Sequence, residues 1–270
     1  MANPHPRKCI FCEQPGQRSG EHLIPDWVRR HVPRVADYHE HRSTRISADM
    51  LPTDVIKANV RFNQGNLGNR TFSRVCRNCN TGWMKEIQDD IIPTLGPLID
   101  GEWHSIDSQS AARIAIWTAM TCTVIAMSQP SHGVTTYDRR YLFKKKLIPP
   151  NWSIWIGRVS GVPEISYCNR VLSFIDPDQH VLIHNEPNML ITTIELGKLL
   201  IHCVSSPYPR FMPDPVSYGL NLGILPIHPY EFDQTSWRTL PIMRYGSSDH
   251  ENVRDLLYAG LMLRQDISCL

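Results

Sequence analysis

The residues whose type and spacing most directly imply chemistry are two cysteine pairs, Cys9-Ile-Phe-Cys12 and Cys76-Arg-Asn-Cys79. Two thiolates separated by two residues grip one side of a tetrahedral ion, and one such knuckle needs a second to close the site. Neither pair sits beside a βαβ pattern, so the spacing points to a structural Zn2+ rather than to thiol redox chemistry. A four-thiolate zinc would tie together two points roughly sixty residues apart in the chain. Structural sites of this kind contribute on the order of 10 kcal/mol.

Between the pairs stands Glu21-His22, and directly after the second pair comes Asn80. Once the knuckles are tied, the oxygen donors of Glu21 and Asn80 suit one hard divalent ion, Mg2+ or Mn2+, with water and a substrate phosphate completing its shell. The neighbouring imidazole of His22, with an ordinary pKa of about 6.5, can take a proton from an attacking water. The ion would stabilise the developing charge and the leaving oxygen. The set reads as a one-metal phosphodiester hydrolase. The plainer alternative makes Glu21-His22 a surface turn and Asn80 a helix cap.

These residues need elements to position them. Residues 1–22 read as loop and knuckle, and a short helix is expected from Leu23 to Val32, with Pro25 in its first turn and Pro33 ending it. Residues 34–67 are polar, carry the His39-Glu-His-Arg42 cluster, and read as a surface insertion with weak strands. Thr71 to Val75 alternates as a strand that delivers the second knuckle. The rhythm from Met84 to Ile92 predicts a helix capped by Asn80 or Thr81 and broken by Pro93.

Ser108 to Ser128 reads as a helix with almost no polar face, hence buried. From Trp152 the period becomes two, at Trp152–Val159, Val181–His184, Leu190–Ile194 and Leu199–Val204, with a hairpin turn at Leu196-Gly197. That is an antiparallel sheet. Residues 206–246 are studded with prolines and are expected on the surface, and Ser248-Asp-His-Glu251 is a capping-box pattern opening a last helix.

With 270 residues and 41% apolar content, the chain can build a sizeable core without disulfide staples. Eight cysteines, four of them scattered, do not form a secreted disulfide framework, so a reducing cytoplasm is expected. No apolar leader follows Met1, and the run from Ile114 to Met127 is read as too short and too rich in Thr and Ala to span a bilayer. No membrane partner is expected. Net charge is only +2, yet basic residues outnumber acidic ones by 14 to 10 in residues 1–90 and trail them by 14 to 16 afterwards. The basic excess thus lies beside the cysteines, where phosphate contacts would be made. The Lys144-Lys-Lys146 run after Arg139-Arg140 is read first as a solvated face.

The motifs Cys9-x-x-Cys12, Glu21-His-x-x-Pro-x-Trp27 and Val75-Cys-x-x-Cys-Asn-x-Gly-Trp-Met84 resemble the zinc-knuckle branch of the HNH, or ββα-metal, endonucleases. The resemblance covers residues 1 to about 98. It implies an α+β chain, with an N-terminal ββα-metal domain at 1–98 that carries an insertion at about 34–67, and a helix plus antiparallel-sheet domain at 99–270. It also implies zinc on Cys9, Cys12, Cys76 and Cys79, a catalytic Mg2+ or Mn2+ on Glu21 and Asn80, His22 as general base, and DNA as substrate. Many such proteins place an Asn or His in the middle of the motif to orient the base. Here the spacing lands on Thr71, with Asn69 and Asn66 as alternatives. The contrasting expectation is a zinc module without catalysis that binds nucleic acid or a protein partner.

Overall fold

The structure, a computed structural model, describes residues 8–32, 38–43, 59–64, 67–129, 132–160, 163–172, 189–209, 212–229 and 242–244. The strand expected at Val181–His184, the last helix expected after Ser248, and Asn66 lie outside the described residues. The chain is α+β, and among the described residues its strands pair antiparallel except at one edge.

Strand β1 (Arg18–His22) pairs antiparallel with β4 (Thr71–Cys76). Between them, a 3-10 turn at Asp26–Arg30 follows Pro25, and β2 (Tyr38–Ser43) pairs with β3 (Asn59–Gln64) inside the expected insertion. The chain leaves β4 through a helical turn, α1 (Arg77–Cys79), then a wide turn at Asn80–Met84 kinked at Gly82, then α2 (Lys85–Asp100).

Two expectations for this region need correction. Helical structure begins at Arg77, immediately after Cys76, so neither Asn80 nor Thr81 caps α2. The knuckle itself winds the chain, and the Thr81 hydroxyl instead donates to the Arg77 carbonyl at 3.0 Å. Nor does Pro93 end the helix: both Pro93 and Pro97 lie inside α2. Ile91, Leu95, Leu98 and Ile99 are buried on both sides of these prolines, and that burial outweighs the missing backbone bonds. The helix stops at Gly101, whose φ of 90° supplies the left-handed cap.

Helix α3 (Ser108–Met127) opens on Asp107, whose carboxylate accepts from the Ser110 N–H at 2.7 Å. With the residues ahead of Ile114 it reaches 20 residues, long and apolar enough by length and composition alone to cross a membrane. Most of it is buried inside the protein, between α2 and the large sheet. A further helix, α4 (Thr136–Lys145), is held by a capping box between Thr135 and Asp138.

The large sheet has the order β10-β5-β8-β7-β6, with β9 also pairing β5. Its strands are β5 (Trp152–Ser160), β6 (Glu164–Leu172), β7 (Met189–Gly197), β8 (Leu199–Ser205), β9 (Leu225–His228) and β10 (Ile242–Arg244). Among the described residues, only β10 runs parallel to its neighbour, β5. Leu196 pairs with Leu199 around a turn at Gly197-Lys198, so the expected hairpin is present with its turn one residue beyond Leu196-Gly197. Strands β7 and β8 are buried along their whole length because α3 covers one face and α5 (Pro215–Leu222) approaches the other. Residues 206–246 are therefore not all surface: Tyr218, Ile224 and Ile227 are buried. The hydrophobic core runs continuously from Cys9 to Ile227.

Candidate metal centre and hairpin site

Strand pairing brings the two cysteine pairs together. Arg18 faces Cys76 in the β1–β4 register, the Arg77 N–H donates to the Gln17 carbonyl at 2.8 Å, and the Ile10 N–H donates to the Arg74 carbonyl at 3.0 Å. The first knuckle closes on itself through Cys9 N–H to Gln14 carbonyl and Glu13 N–H to Cys9 carbonyl, each 3.1 Å, with Glu13 at a φ of 59°. As a result the sulfurs of Cys9, Cys12, Cys76 and Cys79 all lie within 4.8 Å of one another.

The Cys12 and Cys76 sulfurs are 3.7 Å apart. That is far beyond a disulfide, whose sulfurs stand ~2.05 Å apart. It matches the roughly 3.8 Å edge of a tetrahedron with ~2.3 Å metal–sulfur bonds. The Cys76 N–H points at the Cys9 sulfur at 3.4 Å, the kind of backbone contact that stabilises a coordinated thiolate. A hydrogen bond from Cys79 pulls the Cys9 thiol down to about 4 and raises Cys79 itself, while burial raises Cys12. Four thiols this close cannot all ionise without a cation between them, so the donor set fits a structural dication such as Zn2+.

The same hairpin carries Glu21 and His22. Glu21 pairs with Phe72 and His22 with Thr71, while Ser19 pairs with Val75, so Ser73 and Arg74 together stand opposite Gly20 as a bulge in β4. Glu21 is 5% exposed and its carboxylate accepts from Gln88 of α2 at 3.2 Å. Burial pushes its pKa up to about 7, with the Gln88 hydrogen bond opposing. His22, on the opposite face of β1, is half-buried; burial first, and the Arg29 charge second, lower its pKa, which keeps the imidazole neutral. Asn80 is half-buried in the turn after the second knuckle. Of the residues considered for the middle position, Thr71 is the cross-strand neighbour of His22, and the Asn69 amide oxygen accepts from Arg29.

The chain matches no protein-family model, no curated protein and no solved structure. Its own residues therefore carry the reading.

Aromatic packing walls the centre. Phe11 of the first knuckle and Trp83 meet edge to face with centroids 5.1 Å apart, Trp83 meets Phe143 of α4 at 6.3 Å, and Trp27 packs on Trp117 of α3 at 6.3 Å. Both Trp27 and Trp83 are buried packing residues. Helix α4 also grips the first knuckle through polar contacts: Arg139 donates to the Ile10 carbonyl at 2.7 Å, and Arg140 pairs with Glu13 at 2.6 Å. Lys146 sits 4.3 Å over the Trp83 ring, so this end of the Lys144–Lys146 run is packed rather than solvated. Gln88 and Arg74 carry no local signal, and the partners of Arg139 and Arg140 were not readable because they are long-range. The Thr135-x-x-Asp138 capping signal could have revealed α4.

Proposed function

We propose that this chain is a metal-dependent endonuclease that hydrolyses phosphodiester bonds of DNA, with His22 as general base and Glu21 and Asn80 holding one Mg2+ or Mn2+. The observation that supports it best is the β1–β4 pairing, which stands a neutral imidazole across from Thr71 and buries the carboxylate of the preceding residue beneath the same hairpin. Successive residues of a strand face opposite sides, so the base and the ion ligand are separated by the pleat.

The donors suit a hard cation. A buried carboxylate is costly to ionise without a counter-charge, and the oxygens of Glu21 and Asn80 are the ligand type that Mg2+ and Mn2+ take. When bound, such an ion supplies charge stabilisation to the phosphoryl group and the leaving oxygen. The protein's own residues supply the rest. His22 accepts the proton of the attacking water at a ring nitrogen. Thr71 is the cross-strand neighbour of His22, and Gln88 holds the Glu21 carboxylate. A zinc ion on Cys9, Cys12, Cys76 and Cys79 would fix the hairpin to the turn that bears Asn80.

A second reading is a zinc module without catalysis that binds nucleic acid or a protein partner. It draws on Glu21 being turned inward to Gln88. Supercoiled plasmid separates the two. Nicking or linearisation with Mg2+ or Mn2+, absent without them and lowered at least ~100-fold in Glu21→Gln and Asn80→Ala, is expected of the nuclease. Plasmid binding with no cleavage in any metal is expected of the module.

A further inference from the structure

The bulge in β4 changes which face its residues present. Along β1, Arg18, Gly20 and His22 point to one side and Ser19 and Glu21 to the other. On β4, Phe72 and Val75 face the core, and the bulge leaves both Ser73 and Arg74 exposed opposite Gly20. Without the extra residue, strict alternation from Thr71 would turn the residue after Ser73 inward. Arg74 is therefore aimed onto the same solvent face as His22 and Arg18.

Behind it, other cations gather from separate parts of the chain. The Arg74 carbonyl receives the Ile10 N–H, and the Ile10 carbonyl receives Arg139, so β4, the first knuckle and α4 meet at this point. Burial lowers the Arg139 pKa, Glu13 and Asp138 oppose that and the charges of Arg74 and Arg140 add to it, so all four lie near it; Lys8 in turn lies close enough to act on Glu13. Glu13 is already paired with Arg140. Lys144 follows one helical turn after Arg140 on the same side of α4, and Lys8, Arg18, Arg74, Arg140 and Lys144 are all exposed. Glu13 and Asp138 offset part of this charge, and Arg140 is held by its Glu13 ion pair, but the exposed cations outnumber the acids here and attract a polyanion.

We propose that Arg74, turned outward by the bulge, forms with Lys8, Arg18, Arg140 and Lys144 a track for the phosphodiester backbone of a nucleic acid that leads to the His22 face. The track deepens the nuclease reading and rests on it for the end point at His22, but backbone binding is measurable without cleavage. Such contacts are made to phosphate, so they set affinity and register and carry no base sequence.

The test uses the full-length zinc-loaded chain carrying His22→Ala, without added Mg2+, and a fluorescent duplex of arbitrary sequence titrated over a range of salt. Removing one phosphate-binding charge lowers the slope of log K against log salt by about 0.9, which at 0.1 M salt is roughly a five- to tenfold weakening. Arg74→Gln, Arg140→Gln and Lys8→Gln should each do this, Arg74→Lys should restore the slope, and Arg113→Gln, on α3 and paired with Asp90, should leave it unchanged. Zinc content and the thermal midpoint establish that each variant is folded. Slopes unchanged in all three Gln variants overturn the track, as does binding to anionic vesicles in place of duplex. If wild-type protein fails to cleave while the slopes fall as stated, the nuclease reading is lost and the track stands; normal cleavage with unchanged slopes gives the reverse.

Discussion

His202 lies fully inside the large sheet, with Nδ1 2.9 Å from the Thr193 hydroxyl and Nε2 3.0 Å from the Tyr218 hydroxyl. The Trp155 ring packs 5.5 Å away. Burial drives its pKa down to about 3, so the folded chain keeps it neutral where the unfolded chain, titrating near 6.5, takes up a proton. Its stabilising contribution is thus complete above pH 6.5 and is lost as pH falls toward 3. Between pH 7 and pH 5, wild-type protein should lose on the order of 2 kcal/mol relative to His202→Gln, as read from urea midpoints at both values. Parallel pH profiles for the two proteins would contradict this. At this scale the cysteine cluster was legible, because Cys-x-x-Cys is a local pattern that names its own chemistry. Gln88, Arg74 and Arg139 were not, because what they touch depends on register and helix docking rather than on neighbours in sequence.

Among the elements, the turn at Gly197 shows how a local signal and a long-range contact coincide. Its φ is 60°, and a Cβ there would stand 2.6 Å from the Ile99 carbonyl oxygen at the end of α2, which also accepts the Lys198 N–H at 2.9 Å. Gly197→Ala should therefore cost about 1–3 kcal/mol, measured by chemical unfolding, from backbone strain and displaced packing together. A loss below ~0.5 kcal/mol would mean that the turn does not dock α2. The same reasoning explains which elements the sequence hid. The paired strands β5, β7 and β8 and the helix α3 announce themselves through period and apolarity. Helix α4 buries little beyond Leu142 among its apolar residues, β6 is only half-buried, and α5 lies in a proline-rich stretch, so none shows a strong pattern. Helix α2 passes through two prolines because burial of its apolar stripe outweighs a local rule.

At the scale of the whole molecule, the cysteine cluster and the sheet share one buried core, and α4 holds the first knuckle through Arg139 and Arg140. Zinc should be present at one per chain, and its removal by chelation should lower the thermal midpoint of the entire protein. Far-UV circular dichroism and tryptophan fluorescence should then report the same shift, because a structural site worth on the order of 10 kcal/mol is coupled to everything it packs against. A fluorescence change with the circular dichroism midpoint unmoved would mean that the knuckles unfold alone. In the proposed nuclease, His22 is the base presented to a phosphodiester. The most direct measurement is plasmid cleavage in Mg2+ or Mn2+ by wild-type protein and by His22→Ala, with zinc content determined for both. Expected is metal-dependent nicking or linearisation by the wild type, lowered by ~100- to 10,000-fold in the variant at equal zinc content. Cleavage by His22→Ala at the wild-type rate would contradict it.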